Sequence, residues 1–281
     1  MDINKYKATD FIKGFLTHVF LAAVTLTCVF PLFWMVRSAL MTKETIFADQ
    51  SLIPKVIEFG NFPTAWVDGN FGTYFLNSVL YTAAVVTGIV LIASLAAYAF
   101  SRLRFPGRNI FFYMFVLAMM IPLPGGFVPL VVLMNKLHLV NTRIGYILCM
   151  TNVGLAVSIL LLKIFFDKMP SDLEDAARID GCGRLGIWWH VALPLARPAI
   201  AVVVIFNSLN VWNEFILANL LLTDDSLMTL QAGLYRFQGS HLADYPVLMA
   251  GLTISAVPII IVYLFMQKHT IKGLLSGDII G

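Results

Sequence analysis

The chain has 281 residues, of which 59% are apolar and 12% are charged. Soluble domains average about 45–50% apolar and about 25% charged residues, so this composition excludes a soluble globular protein and a disordered one. The formal net charge of +3 is too small and too scattered for a nucleic-acid-binding protein. The composition therefore indicates an integral membrane protein.

Six apolar runs are long enough to cross a bilayer as helices. A spanning helix needs about 20 predominantly apolar residues to cross a hydrocarbon core of about 30 Å. We therefore predict an all-α integral membrane fold with six transmembrane helices. The predicted spans are residues 14–36, 75–100, 110–134, 144–166, 198–222 and 247–266.

The basic residues predict how these spans are oriented. Roughly two thirds of the 19 Lys and Arg residues flank the same ends of the spans, and cytoplasmic loops carry such an excess. Both termini are therefore predicted to be cytoplasmic. The cytoplasmic parts are residues 1–13, the loop 167–197 and the tail 267–281, and the permease domain covers residues 14–266.

Prolines and glycines interrupt the third predicted span at Pro122, Pro124, Gly125, Gly126 and Pro129. Each proline removes a backbone donor and clashes with the preceding turn. Broken backbone at membrane depth is tolerated only where protein buries it or where it lines a watery cavity. The cluster is therefore either part of a transport path or a simple kink.

The sequence carries no recognisable catalytic centre. It lacks the GxSxG, HExxH and Walker A patterns, and its 5 histidines lack metal-ligand spacing. We therefore predict that the chain is not an enzyme and binds no metal.

The loop between the fourth and fifth spans is predicted to form a helix, a tight turn and a second helix. Ser171 and Glu174 fit a capping box, in which each side chain satisfies a backbone N–H at a helix start. Gly181 and Gly183 can then turn the chain at positive φ. The second, amphipathic helix is predicted to end at Pro194.

Small side chains distinguish the surface of this loop. Ala176 and Ala177 lie close to Gly181 in sequence, so side-chain bulk is low there. Low bulk favours close docking of the backbone into a groove of a partner. The alternative is a helical hairpin that rests on lipid headgroups.

The fifth predicted span carries a polar face. Asn207, Asn210 and Glu214 recur at i, i+3 and i+7, and Asn213 adjoins them. A carboxylate within a span costs about 2.5–3.5 kcal/mol on insertion scales, so it faces the bundle interior or a watery cavity. The face is either a wall of a translocation path or a hydrogen-bonded cluster between helices.

The loop resembles the EAA loop of binding-protein-dependent ABC importer permeases, with Asp and Val in place of the family's Glu and Ile. The residues that carry this resemblance are Asp175, Ala176, Ala177, Gly181, Val191, Leu193 and Pro194. Further segments are similar to the MalG class of sugar permeases. These are residues 97–102, 105–107, 212–215 and 272–274.

The resemblance implies a permease subunit of an ATP-driven importer for a carbohydrate, which forms part of the translocation path. The loop would sit in a cleft of a separate ATPase, whose closure would move the membrane helices. The residues implied in this coupling are Glu174, Asp175, Ala176, Ala177, Asp180, Gly181 and Pro194. No cofactor would be bound by this chain, and ATP and Mg²⁺ would be bound by the partner ATPase.

The partners that the resemblance implies are a second homologous permease subunit, an ATPase dimer and an extracytoplasmic solute-binding protein. The outer loops 37–74 and 223–246 would contact the binding protein. The location implied is the plasma (inner) membrane of a bacterium or archaeon. One alternative function remains, a proton-coupled secondary transporter that uses Glu214.

Overall fold

A computed structural model of the chain describes residues 3–120, 123–240 and 244–275. Within these ranges every regular element is a helix, which confirms the predicted all-α class. In chain order the helices are α1 (Ile3–Ala39), α2 (Asn61–Val67), α3 (Phe71–Arg102), α4 (Arg108–Ala118), α5 (Leu123–Lys136), α6 (Arg143–Lys168), α7 (Asp172–Ile179), α8 (Arg184–Ile187), α9 (Leu193–Leu195), α10 (Arg197–Asn213), α11 (Ile216–Leu221), α12 (Leu230–Ser240) and α13 (Tyr245–Leu275). A π-helical turn, Trp188–Ala192, joins α8 to α9, and a 3-10 turn, Asp225–Leu227, precedes α12.

Four of the predicted spans lie on single apolar helices that are long enough to cross a bilayer. They are Lys13–Ala39, Phe71–Arg102, Arg143–Lys168 and Tyr245–Val262. A fifth spanning element is obtained among the described residues if Arg184–Leu195 and Arg197–Asn213, which meet at 78°, are counted together.

The third predicted span, 110–134, consists of two shorter helices. α4 ends at Ala118 and α5 begins at Leu123. Pro124 occupies the first turn of α5, where the donor that a proline lacks would have no partner inside the helix. Pro122 and residues 276–281 of the predicted tail lie outside the described residues. Pro124, Gly125 and Gly126 therefore lie in the first turn of α5, whereas Pro129 lies inside this helix.

The fifth predicted span, 198–222, is also broken. α10 ends at Asn213, and Glu214 has an extended backbone with ψ of 128° before α11 begins at Ile216. The i, i+3, i+7 spacing assumed one continuous helix that includes Glu214, and this assumption was wrong. The helix is interrupted at Glu214 because the carboxylate of this residue accepts hydrogen bonds from backbone N–H groups of α11.

The described residues form two compact units. The first contains Met1–Gly69 and Phe237–Ile254, and none of the apolar window of α1 is buried. Arg37, at the end of α1, is buried and donates from Nε to Ser51 O (2.7 Å) and from Nη2 to Asp49 O (2.6 Å). The Ser51 hydroxyl and N–H hold the pKa of the Asp49 carboxyl at about 2. These bonds order the chain that follows α1.

The second unit contains Asn70–Arg236 and Ser255–Gly281, and its core is built on α3, α6 and α10. α3 and α6 pack along much of their lengths, and α10 packs against both. The approach is closest at Gly154 of α6. A Cβ there would lie 2.2 Å from Asn207 Oδ1 and 2.4 Å from Ile89 Cδ1. This unit carries both predicted functional regions.

Candidate functional site

The loop between α6 and α10 is a helical hairpin, residues 169–196, and we call it the coupling hairpin. Its first helix, α7, begins at Asp172, directly after Pro170 and Ser171. The predicted capping box was wrong, because Ser171 has helical dihedrals (φ −65°, ψ −29°) and its side chain caps no N–H. The Glu174 carboxylate is drawn instead toward the guanidinium of Arg102, which offers a full charge.

Gly181 ends α7 in a Schellman motif. Its φ is +84°, Cys182 N donates to Ala177 O (2.9 Å), and Gly181 N donates to Arg178 O (3.0 Å). The prediction of positive φ is confirmed at Gly181 and was wrong at Gly183, which is extended (φ −72°, ψ 171°). One left-handed residue is enough because the two Schellman bonds already satisfy the last carbonyls of α7.

The second half of the coupling hairpin runs through Pro194 instead of ending there. α8 passes into the π-helical turn Trp188–Ala192, and α9 follows to Leu195. A proline ring clashes with the carbonyl four residues earlier in a regular α-helix. The wider π turn accommodates Pro194, so the helical path continues to Ala196 before α10 departs at 78°.

The coupling hairpin has a buried face and an exposed apolar face. Its buried residues pack inside the unit and are Met169, Glu174, Ala177, Ile187, Trp188, Ala192 and Ala196. Its exposed apolar side chains include Ile179 (87% exposed), Leu185 (71%) and Trp189 (51%). Ala176, Asp180 and Gly181 are also exposed. The exposed face therefore combines large apolar side chains with the small residues Ala176 and Gly181.

Sequence reasoning missed the residue that anchors the coupling hairpin. Arg102, the last residue of α3, places Nε 3.2 Å from Glu174 Oε1, and its Nη2 donates to the carbonyls of Phe166 and Met169. Asp175 is exposed and pairs with Arg178 at 2.8 Å. Glu174 therefore faces the interior of the unit, whereas Asp175 faces outward. Only the sequence position of Arg102, at a span end near an acidic helix, signalled this contact.

The polar residues of the fifth predicted span do not form one site. Asn207 is buried, and its Nδ2 donates to Ser158 Oγ (2.9 Å) and to Val203 O (2.8 Å). Asn210 and Asn213 are exposed, and Asn213 donates only to Leu209 O of its own helix. Asn207 thus belongs to the packing of α10 on α6, while the other two asparagines face away from it.

Glu214 caps α11. Its Oε1 accepts from Leu217 N (2.6 Å), and its Oε2 accepts from Ala218 N (3.1 Å) and from the Tyr146 hydroxyl (3.3 Å). Tyr146 packs edge-to-face on Tyr81 with ring centroids 4.8 Å apart. The carboxylate therefore satisfies the backbone donors that the break between α10 and α11 would otherwise leave unpaired.

A row of α3 side chains holds the segment that follows α11. Asn77 Nδ2 donates to Ser226 O (2.8 Å) and Met228 O (3.0 Å), and the Tyr81 hydroxyl donates to Leu227 O (2.8 Å). None of these residues was predicted from the sequence, because single polar residues inside an apolar run form no periodic pattern or motif.

Replacing Glu214 with glutamine is expected to destabilise the protein and to lower uptake. Glutamine offers one acceptor oxygen, so either Leu217 N or Ala218 N loses its partner, at a cost of about 1–3 kcal/mol. Thermal unfolding in detergent measures the loss, and Asn213→Ala serves as the control for stability only, because Asn213 is exposed. A Glu214→Gln protein with unchanged stability, uptake and substrate preference would contradict both the cap and a role in the path.

The family model described as "Binding-protein-dependent transport system inner membrane component" matches residues 88–275. The chain belongs to this family. The matched region contains Arg102, the coupling hairpin and Glu214. The protein is therefore a multi-pass membrane permease of a transport system that depends on a binding protein.

Named relatives align with nearly the whole permease. It is 32% identical over 264 residues to the diacetylchitobiose uptake system permease protein NgcG of Streptomyces coelicolor, covering 93% of this chain and 87% of that protein. It is 31% identical over 281 residues to the arabinooligosaccharides transport system permease protein AraQ of Halalkalibacterium halodurans, covering 99% and 100%. It is also similar to a chain of a bacterial ABC transporter involved in the import of the acidic polysaccharide alginate, with a TM-score of 0.82, 27% identity and coverage of 92% and 97%.

Proposed function

We propose that this permease is one membrane subunit of an ATP-driven importer for a carbohydrate. It hydrolyses no ATP itself and couples transport to a separate ATPase through the coupling hairpin. ATP and Mg²⁺ are bound by that ATPase, and this chain binds no cofactor. The observation that carries the proposal is the exposed apolar face of the coupling hairpin.

The shape and chemistry of that face suit insertion into a cleft of a soluble protein. Ile179, Leu185 and Trp189 supply apolar contact area, and Ala176 with Gly181 allows close backbone approach. The acidic side chains of Asp175 and Asp180 border the face and offer charge to basic residues of a partner. The buried face, built on Ala177 and Trp188 among others, joins the hairpin to the helices of the second unit.

The substrate class rests on the names of the relatives. NgcG is named for diacetylchitobiose and AraQ for arabinooligosaccharides, and the similar solved transporter is described for alginate. Carbohydrates are rich in hydroxyls that donate and accept hydrogen bonds, and amides can do both in return. We assign Asn210 and Asn213, with Glu214 between the two helices, to the wall of the translocation path.

The complete importer would contain a second homologous permease subunit, two copies of the ATPase and a solute-binding protein outside the membrane. α1, whose large apolar side chains from Phe15 to Trp34 are exposed, offers a surface for a membrane-embedded partner. The excess of basic residues at one set of span ends supports cytoplasmic termini in a bacterial or archaeal plasma membrane. The outer loops 37–74 and 223–246 would face the binding protein.

Retention of the ATPase on a tagged permease tests this function. We expect Ile179→Asp combined with Leu185→Asp to reduce the ATPase recovered with the permease at least tenfold, because two charges would be desolvated in the cleft. Ile53→Asp is the matched control, since Ile53 is 74% exposed on the predicted outer side and should leave recovery unchanged. Full recovery of the ATPase by the double variant would contradict the proposal.

A further inference from the structure

One buried charged contact joins three elements of the second unit. Arg102 ends α3, and its Nη2 donates to Phe166 O in the last turn of α6 and to Met169 O, one residue beyond that helix. Its Nε faces Glu174 Oε1 at 3.2 Å in the first turn of α7. A single guanidinium thus contacts the ends of both long helices and the start of the coupling hairpin.

The contact between Arg102 and Glu174 is buried from solvent. The Arg102 side chain is 15% exposed and that of Glu174 is 5% exposed. Arg102 Nε and Glu174 Oε1 form an ion pair without a hydrogen bond between them. A buried pair of this kind adds little stability, but removing one partner is costly because the other charge stays desolvated. Arginine suits the position because its planar fork carries five donors, whereas a lysine ammonium is a point charge.

The covalent link between α6 and α7 fixes only one end of α7. It consists of residues 169–171, with Pro170 in the middle, so it can act as a hinge. The contact with Glu174 adds a second attachment, one turn into α7 and on a different helix. Because α7 is attached to α6 through the link and to α3 through Arg102, it cannot rotate about the link alone.

We propose that Arg102 is a positioning residue that forces α7 to move together with α3 and α6 when the ATPase displaces the coupling hairpin. This inference rests on the proposed function. Without the contact, α7 could still dock on the ATPase. A displacement of α7 would then bend the link 169–171 and would not move α3 and α6. Arg102 contacts neither the ATPase nor the substrate in this account, and it acts through Glu174.

The first test separates positioning from packing. Arg102→Met alone leaves the buried Glu174 carboxylate with only the longer ion pair to Arg178 (3.6 Å) and can impair folding. The informative variant is therefore Arg102→Met combined with Glu174→Met. We expect the double variant to retain the ATPase and its thermal stability. We also expect uptake to fall at least tenfold. The rate of ATP hydrolysis with loaded binding protein should become equal to the rate without it. Wild-type uptake and stimulation would overturn the proposal.

The second test measures directly whether α7 and the end of α3 keep a fixed distance. Spin labels at Leu173→Cys, in the first turn of α7, and at Arg104→Cys, two residues beyond α3, occupy exposed positions and report the distance between α7 and the end of α3. The labels are introduced in a background in which Cys28, Cys149 and Cys182 are replaced. We expect the same single distance without nucleotide and with trapped ATP, and a broad or state-dependent distance in Arg102→Met with Glu174→Met. A distance that changes between states in the otherwise wild-type pair would overturn the proposal.

These outcomes are distinct from a failure of the proposed function. If the wild-type permease retains no ATPase and shows no ATP-driven uptake, the proposed function is wrong. If it retains the ATPase and transports with ATP while the distance between Leu173→Cys and Arg104→Cys changes, only the positioning role is wrong.

Discussion

Gly181→Val is expected to abolish ATP-driven uptake while the protein still inserts into the membrane. Gly181 has φ of +84°, and a β-branched residue is a genuine outlier at positive φ. The left-handed conformation costs about 1–2 kcal/mol for an ordinary residue. A Cβ at Gly181 would meet no atom within 4 Å, so the effect comes from the backbone and not from a clash. The Schellman bonds would break, and the exposed face would change its shape.

Gly183→Val is the matched control for this experiment. Gly183 is also exposed, and a Cβ added there would likewise meet no atom within 4 Å, but its backbone is extended and accepts any residue. We expect Gly183→Val to transport normally and Gly181→Asn to retain part of the uptake, because asparagine tolerates the left-handed region. ATP-dependent uptake of labelled saccharide in cells measures all three. Wild-type uptake by Gly181→Val would refute the role of this turn.

Gly154→Ala is expected to lower the stability of the permease strongly, because the added methyl group has no room in the core. The new Cβ would lie 2.2 Å from Asn207 Oδ1, with Ile89 on its other side. Overpacking of a core costs about 1–3 kcal/mol. Displacing Asn207 also breaks its bond to Ser158, and a buried unpaired polar group costs about 1–3 kcal/mol.

Gly88→Ala is the control for the core substitution. Gly88 lies in α3, where the nearest atom to an added Cβ is Thr151 Oγ1 at 3.5 Å, an ordinary contact. Thermal unfolding in detergent should give a melting temperature lower by at least several degrees for Gly154→Ala, at about 2–4 °C per kcal/mol, and almost unchanged for Gly88→Ala. Equal melting temperatures for the two variants would show that α6 and α10 are not packed as closely as described.

The sequence predicted the parts of the fold that depend on composition. Apolar length alone located α1, α3, α6 and the first half of α13, because a bilayer requires that length. Apolar length could not locate the break at Glu214, because one carboxylate does not interrupt an otherwise apolar run of that length. Whether that carboxylate accepts from the backbone depends on the local dihedrals, which the sequence does not display.

The same limit applies to the candidate site. The position of the coupling hairpin and the left-handed Gly181 were both predicted, because Gly at a helix end has a strong backbone preference. The capping box failed because the local pattern assigned Glu174 to a nearby N–H, whereas a distant Arg102 offers a full charge. Contacts between residues far apart in sequence, such as Asn207 with Ser158, require the packed helices.

Uptake into proteoliposomes tests the central claim most directly. The permease is reconstituted either with its partner subunits, the ATPase and external binding protein, or alone, and labelled saccharide is measured with internal ATP or with an imposed pH gradient. We expect uptake only in the complete system with ATP, on the side where the ATPase lies. Uptake by this chain alone, driven by the pH gradient and lost in Glu214→Gln, would contradict the account and establish a proton-coupled transporter.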